Sequence, residues 1–391
     1  MRQHITVIGG GLAGLTAAIA CAEGGAQVTL FEAHEALGGR ARSTARPYVA
    51  NDGPHAFYSD GAPWRWLAAR GLVRPYARPT LGAFRRARFR WNGRRGLPPG
   101  SLLRMVGHRR LAAPVDRDFG SWAAERFGEE AAKAAAGLVG VITYEADPGR
   151  LSAAFVWERL LRVAAPKYPA VRYVKGGWGA VIDRMAAYAR RLGVRIETGT
   201  RVHTLPDTPT IVAVSLDAAR TLLGDDGLRW ESGRAVLLDL AVRRGEDDLF
   251  LLSDLDEGGF VEQYGMLDAS LAPPGETLFQ MMLPIRDGES RDEANARLER
   301  LADLAVPGWR DRTTWRRGSV TRGRTGALDL PGFTWRDRPA IERGDGVWLA
   351  GDAVAAPGLL SEVSVNSALQ AAEHALAAVR APGAHRSRSA A

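Results

Sequence analysis

Six residues near the N-terminus, Gly9-Gly10-Gly11-Leu12-Ala13-Gly14, restrict the possible folds more than any other stretch of the chain. An apolar run at 4–8 precedes them, an alanine-rich stretch with helical spacing at 12–23 follows, and a second apolar run lies at 28–32. That order reads strand, turn, helix, strand. In Gly9-x-Gly11-x-x-Gly14 the first glycine permits a tight turn. The second lets a pyrophosphate approach the backbone, and the third allows helix to pack on strand. The helix start, through Leu12 and Ala13, then offers N–H groups to phosphate oxygens. Glu32 closes the second strand with Ala33 after it. A carboxylate there accepts from the hydroxyls of an adenosine ribose and repels a 2′-phosphate. The motif therefore points to a dinucleotide lacking that phosphate.

The chain has 391 residues, 46% hydrophobic and 25% charged, enough for a large core and two intertwined domains. No run reaches the roughly 18 apolar residues of a membrane span, and the first apolar run, broken by glycines, reads as structure rather than leader. Cys21 is the single cysteine, which excludes an internal disulfide, a cysteine metal site and a paired-thiol redox centre. A cytoplasmic location is the default expectation. The net charge of +8 is mostly arginine with little lysine. That pattern is read as compositional bias, and no nucleic-acid partner is expected.

Periodicity predicts helices at 64–70, 122–127, 131–139, 154–163, 180–192, 218–223, 291–304 and 363–378. It predicts strands at 194–197, 201–205, 210–214, 234–242, 260–264 and 277–283. The arginine-rich stretch 84–95 alternates aromatic and basic residues around Asn92-Gly93, which fits a hairpin with one solvated face. An anion-binding or membrane-docking patch is the other reading. The small, polar, basic tail at 381–391 is expected to be disordered.

Soon after Glu32 comes Leu37-Gly38-Gly39-Arg40-Ala41, two further glycines and a guanidinium suited to phosphate. This succession resembles the flavin-dependent amine oxidase and phytoene desaturase superfamily. The resemblance implies an α/β chain: a Rossmann-like FAD-binding domain of the second glutathione-reductase type with an interleaved α+β substrate domain. The FAD domain would comprise 1–75, 170–228 and 318–380, and the substrate domain 76–169 and 229–317. It also implies noncovalent FAD as cofactor. Asn51-Asp52-Gly53-Pro54-His55 is similar to the segment beside the flavin ring, and Lys175-Gly176-Gly177 to the element that re-enters the FAD domain. Val202 matches a valine whose backbone meets the adenine. Gly351-Asp352 matches the acid near the ribityl and pyrophosphate portion. Glu362 and Val363 open a closing helix aimed at the flavin's pyrimidine end, where its dipole favours the anionic reduced ring. No second phosphate loop exists for an internal NAD(P)H site, and the short chain implies a reduced substrate cap.

Catalytic side chains are less sharply indicated. His55 is the candidate proton acceptor as hydride leaves the substrate, or a histidine that merely bonds backbone or phosphate. Lys175 either orients a water or is a surface residue before a turn. Tyr144, Trp178 and Tyr264 either line a pocket or belong to the core, and Asp52 is read as a turn cap. The expected function is FAD-dependent hydride removal from a C–H or C–N bond of a small to medium organic substrate. Desaturation of an isoprenoid-like compound stands slightly ahead of amine oxidation. A reduced-flavin isomerase and an escort-type binding protein are the alternatives. Oxygen and quinone are both open as electron acceptor, and a lipid substrate would bring peripheral membrane contact through 84–95.

Overall fold

The computed structural model describes residues 4–52, 56–164 and 170–380. Gly53, Pro54, His55 and the tail at 381–391 therefore lie outside the described residues. β1 (His4–Ile8), α1 (Leu12–Glu23) and β2 (Gln27–Phe31) form the expected opening unit. They belong to a five-stranded parallel sheet in the order Val347–Leu349, Thr210–Val212, β1, β2, Arg195–Glu197. Helices on both faces bury it, so the central strand carries Ile5 and Val7 with no exposure. Small side chains let α1 lie close between the closing helix Ser361–Arg380 and the helix Gly179–Arg191. Cys21 sits inside this packing, where burial pushes its thiol up to about 12 and leaves it inert.

A second sheet has seven strands, ordered Thr313–Ala327, Ser232–Arg243, Glu276–Pro284, Gly259–Gln263, Leu251–Asp254, Ala87–Trp91, Arg94–Gly96. All neighbours are antiparallel except Leu251–Asp254 with Ala87–Trp91. Val236, Leu238, Phe279, Met281 and Leu283 pack with Leu298 and Leu301 of the helix Arg291–Ala305. Alternation then turns Leu237, Asp239, Gln280 and Met282 to the opposite face, and that face meets the nucleotide domain: Asn51 N donates to Gln280 Oε1 at 3.3 Å. The helices Phe119–Phe127, Glu129–Thr143 and Ala153–Ala164 hold a separate core around Phe119, Trp122 and Leu160. A small sheet with Val171–Val174 between Phe57–Tyr58 and Tyr76–Ala77 links the two parts.

Three expectations are revised. Residues 201–205 form no strand; they run beside the end of β2, with Thr200 N donating to Glu32 O at 2.8 Å. The stretch 84–95 begins inside the helix Leu81–Arg85, and its hairpin spans Ala87–Trp91 and Arg94–Gly96 about Asn92 (φ 49°) and Gly93 (φ 71°). The long strand Thr313–Ala327 crosses the expected boundary at 317/318, and its pairing puts 318–327 with the second sheet.

Candidate functional site

The glycines of the phosphate loop divide by what surrounds them. A Cβ on Gly9 would lie 2.4 Å from Ala213 O, and one on Gly14 would lie 1.7 Å from Gly9 O. Gly9 also has φ +108°. The chain's own turn and packing require glycine at both positions. Gly11 differs: φ is −78°, and a Cβ there would meet nothing nearer than Gly38 O at 3.9 Å. Gly38 N donates to Gly10 O at 2.8 Å, which sets the second glycine pair beside the first. A Cβ on Gly39 would meet nothing nearer than Gly11 Cα at 3.7 Å. Gly11 and Gly39 thus leave a gap that side chains would fill, at the start of an α1 that no side chain caps and whose first turn carries no acid. Space, backbone donors and helix dipole together fit a pyrophosphate.

Glu32 is buried at 7% exposure. Its Oε2 accepts from Gly10 N at 2.7 Å and its Oε1 from His34 N at 2.9 Å, and each oxygen keeps a lone pair for a ribose hydroxyl. Ala33 is half-buried next to it, and Val202 packs on the first core after the Thr200 contact. Arg40 and Asp352, expected at the cofactor separately, are brought together: Nη1 donates to Oδ2 at 2.6 Å. Burial works against both charges. Asp352 nevertheless keeps the Arg40 pKa raised, and Arg40 holds the Asp352 carboxyl below the ordinary range. Gly351 is tied to the closing helix, its N donating to Ser367 Oγ at 2.9 Å. Val363 is buried in that helix. Glu362 serves its own surroundings, with Oε2 accepting from Leu359 N at 3.1 Å and Oε1 from Arg162 Nη2 at 2.8 Å.

The segment entering Gly53, Pro54 and His55 is clamped from two sides. Asn51 Oδ1 accepts from Trp178 N and Ser43 Oγ, each at 2.9 Å. Asn51 O accepts from Gln280 Nε2 at 3.1 Å and Arg317 Nη2 at 3.0 Å, and Arg317 Nη1 also bonds Asp52. Asp52 thus does more than cap a turn. Lys175 is exposed, and Trp178 stacks on Phe57 with centroids 4.0 Å apart, which makes it core.

Sequence reasoning missed the charged face of the second sheet. Pairing aligns Glu262, Gln280, Asp239 and Arg317 in one row across four strands, with Phe260, Met282, Leu237 and Ser319 in the next. Gln280 Nε2 donates to Asp239 Oδ1 at 2.8 Å and Arg317 Nε to Asp239 Oδ2 at 2.8 Å. At the far end of the row the Tyr173 and Tyr264 hydroxyls bond Glu262, their rings 5.5 Å apart and nearly perpendicular. Burial raises the Glu262 carboxyl, and the two hydroxyls only partly counter it. Tyr144 packs on the apolar row, and its φ of 59° is uncommon for an aromatic residue. Burial raises its phenol, with the charges of Arg40 and Asp352 acting on it in opposite senses. Tyr144 therefore stands between the Arg40–Asp352 pair and the second sheet. The visible signals were single polar residues inside apolar runs: Asp239 in Ser232–Arg243, Gln280 in Glu276–Pro284 and Glu262 in Gly259–Gln263.

Residues 7–70 match a family described as NAD(P)-binding Rossmann-like domain, and residues 115–237 match flavin containing amine oxidoreductase. The two matches together support a flavin amine oxidase-like superfamily with FAD as cofactor. Among curated proteins it is similar to L-amino acid oxidase Lm29 of Lachesis muta and L-amino acid oxidase Cdc18 of Crotalus durissus cumanensis. Each is 38% identical over 76 residues, 19% of this chain and 14% of theirs. The match thus spans about a seventh of those relatives' length. An oxidoreductase from Methanosarcina mazei shares the fold at a TM-score of 0.76 and 16% identity, over 95% of this chain and 100% of that one. Cyclohexylamine oxidase from Brevibacterium oxydans does so at 0.72 and 16%, over 97% and 100%. Reduced UDP-galactopyranose mutase does so at 0.69 and 13%, over 96% of each.

Proposed function

We propose that this protein is an FAD-dependent oxidoreductase that removes hydride from the carbon beside an amino group in a substrate with an apolar body. The observation that carries this reading is Glu262, a buried carboxyl with two tyrosine hydroxyls and, among the described residues, no ion pair, next to the apolar row of Phe260, Met282 and Leu237. A buried acid of this kind is costly without a partner. An ammonium group supplies one, whereas an uncharged polyene leaves the acid unmatched. Glu262, its affinity for protons raised by burial, pairs with the ammonium and takes its proton. The freed nitrogen lone pair then forms C=N as hydride leaves the carbon. Bound FAD supplies the two-electron acceptor for this chemistry. Gly11, Gly39 and the start of α1 hold its pyrophosphate, Glu32 and the Val202 segment its adenosine end, and Asp352 and the closing helix its other end.

The apolar row favours a second reading, dehydrogenation of an uncharged isoprenoid-like substrate. Anaerobic mixing of the yellow protein with matched primary amines and polyenes separates the two by flavin bleaching. Amines should bleach it, and Glu262→Gln should raise the amine concentration required by about 100-fold, the scale of a lost charge pair in a dry site. Binding should also strengthen as pH rises through the raised Glu262 pKa, because only the carboxylate pairs with ammonium. Bleaching by polyenes alone would transfer the assignment to desaturation. No bleaching by any donor would favour an isomerase or a binding protein.

A further inference from the structure

We infer that Arg74, Tyr76, Arg78 and Arg172 form a binding site for a dianionic phosphate group on the outer face of the small sheet, apart from the Glu262 site. Antiparallel pairing sets Tyr76 opposite Val174 and Ala77 opposite Tyr173. The same register brings Arg78 level with Arg172, and side chains two apart on a strand share a face. Tyr76, Arg78 and Arg172 therefore lie together, while Tyr173 projects from the other face to bond Glu262. The edge of buried Trp64 holds the Tyr76 ring, with centroids 5.2 Å apart and planes at 79°. The Tyr76 hydroxyl oxygen accepts from the guanidinium groups of both Arg78 and Arg172. Arg172 is also tied to its own strand, its Nη1 donating to Val171 O at 2.8 Å.

Three guanidinium groups thus act on one hydroxyl. Asp60, the carboxylate that acts on Arg172, is already bonded to Arg162 at 2.6 Å. Arg74 and Arg78 are exposed and form no ion pair among the described residues. With its oxygen accepting from two guanidinium groups, Tyr76 is left to donate its own hydrogen, so every group in the cluster is a donor. Burial, and then the like charge of Arg78, lower the Arg172 pKa, and the Arg78 bond lowers that of the Tyr76 phenol. A phosphate group has the complementary pattern, several acceptor oxygens and two negative charges, and meets guanidinium groups through short charge-assisted bonds. Such a group arrives on a soluble molecule or on a lipid headgroup. The lipid has a suitable neighbour: Pro79 and Thr80 connect Arg78 to the helix Leu81–Arg85, whose Leu81 and Phe84 side chains are exposed.

The test uses the whole chain loaded with FAD, so that the pyrophosphate gap is filled, with chloride in excess throughout. Inorganic phosphate, titrated calorimetrically, and flotation with phosphatidylcholine vesicles containing phosphatidic acid present the same chemistry from the two sources. Arg78→Gln and Arg172→Gln should each weaken binding at least about tenfold, the scale of a lost charge-assisted bond. Tyr76→Phe should weaken it about threefold. Arg291→Gln, which removes the same charge at an exposed position on another element, should stay within about twofold of the parent. Should Arg172→Gln fail to fold, Arg78→Gln and Arg74→Gln, both at exposed positions, carry the comparison. Phosphate binding lost in Arg78→Gln supports the site with a soluble ligand, and binding confined to phosphatidic acid vesicles and lost in the same variant supports it with a lipid. Binding of neither probe, or equal binding by Arg78→Gln and Arg291→Gln, overturns the inference. The comparison reads the same way in a chain that takes up no FAD, so the site and the cofactor reading fail independently.

Discussion

Gly11 and Gly14, three positions apart in the phosphate loop, are glycine for different reasons. An alanine methyl at Gly14 would sit 1.7 Å from the Gly9 carbonyl, so helix and strand must separate. Gly14→Ala should cost about 2–3 kcal/mol or more, an overpacking penalty against rigid backbone. At Gly11 the same methyl points into open space. Gly11→Ala should change apoprotein stability by no more than about 1 kcal/mol, yet weaken FAD binding about 100-fold by occupying the pyrophosphate approach. Melting of the apoprotein and a flavin-absorbance titration read the two effects separately. Equal destabilisation by both variants, with FAD binding intact in Gly11→Ala, would show that the gap holds no cofactor. The steric need for glycine at Gly9 and Gly14 is legible in the sequence because both act within the opening strand–turn–helix unit. The Arg40–Asp352 pair spans the chain, and its two partners look like separate cofactor contacts until the fold joins them. The backbone of Tyr144 gives no warning either, since left-handed geometry is ordinarily announced by glycine or asparagine.

Among the elements, local pattern reveals the helices better than the second sheet. The helix Arg291–Ala305 begins with a full capping box, Ser290 with Glu293, and was legible to within a residue at its C-terminal end. The strand Thr313–Ala327 was not. As an edge strand it pairs on one side only, with Ser232–Arg243, and its arginines, threonines and glycines obscure the alternation. Its contribution comes from register. Pairing puts Arg317 opposite Asp239, and the guanidinium ties that buried acid to Asn51 and Asp52 of the nucleotide domain. Burial raises the Asp239 carboxyl even with Arg317 and Gln280 bonded to it. Arg317→Ala would leave that charge without its cation. We expect a loss of about 2–3 kcal/mol, below the full cost of breaking a buried pair because Arg317 is partly exposed. The sign follows from the linkage. The variant's raised Asp239 pKa favours the neutral acid, so its stability deficit should shrink as pH falls through that pKa. Urea melts at pH 7 and pH 5 check this, and a deficit independent of pH would assign the loss to packing.

At the scale of the whole molecule, charge is distributed unevenly around the seven-stranded sheet. Residues 81–110 contain nine arginines and no acidic residue. Leu81, Phe84, Leu97 and Leu103 are exposed there at 80%, 47%, 84% and 58%. Neighbouring acids account for part of the charge: Asp254 pairs with Arg90, and Asp256 accepts from Asn92 N and Gly93 N at the hairpin tip. Arg85, Arg88, Arg94, Arg104, Arg109 and Arg110 remain exposed. Exposed apolar side chains among exposed cations complement an anionic bilayer surface, each basic residue near it contributing about 1 kcal/mol at low salt. The same sheet carries Glu262 and the apolar row. Co-sedimentation with phosphatidylserine vesicles should bring the protein down at low ionic strength and release it as salt shortens the screening length. Phosphatidylcholine vesicles should not bind it, and replacing Leu81, Phe84 and Leu97 together by serine should abolish binding while leaving turnover of a water-soluble amine unchanged. Sedimentation that ignores both the lipid charge and this triple substitution would return the arginines to an ordinary solvated surface.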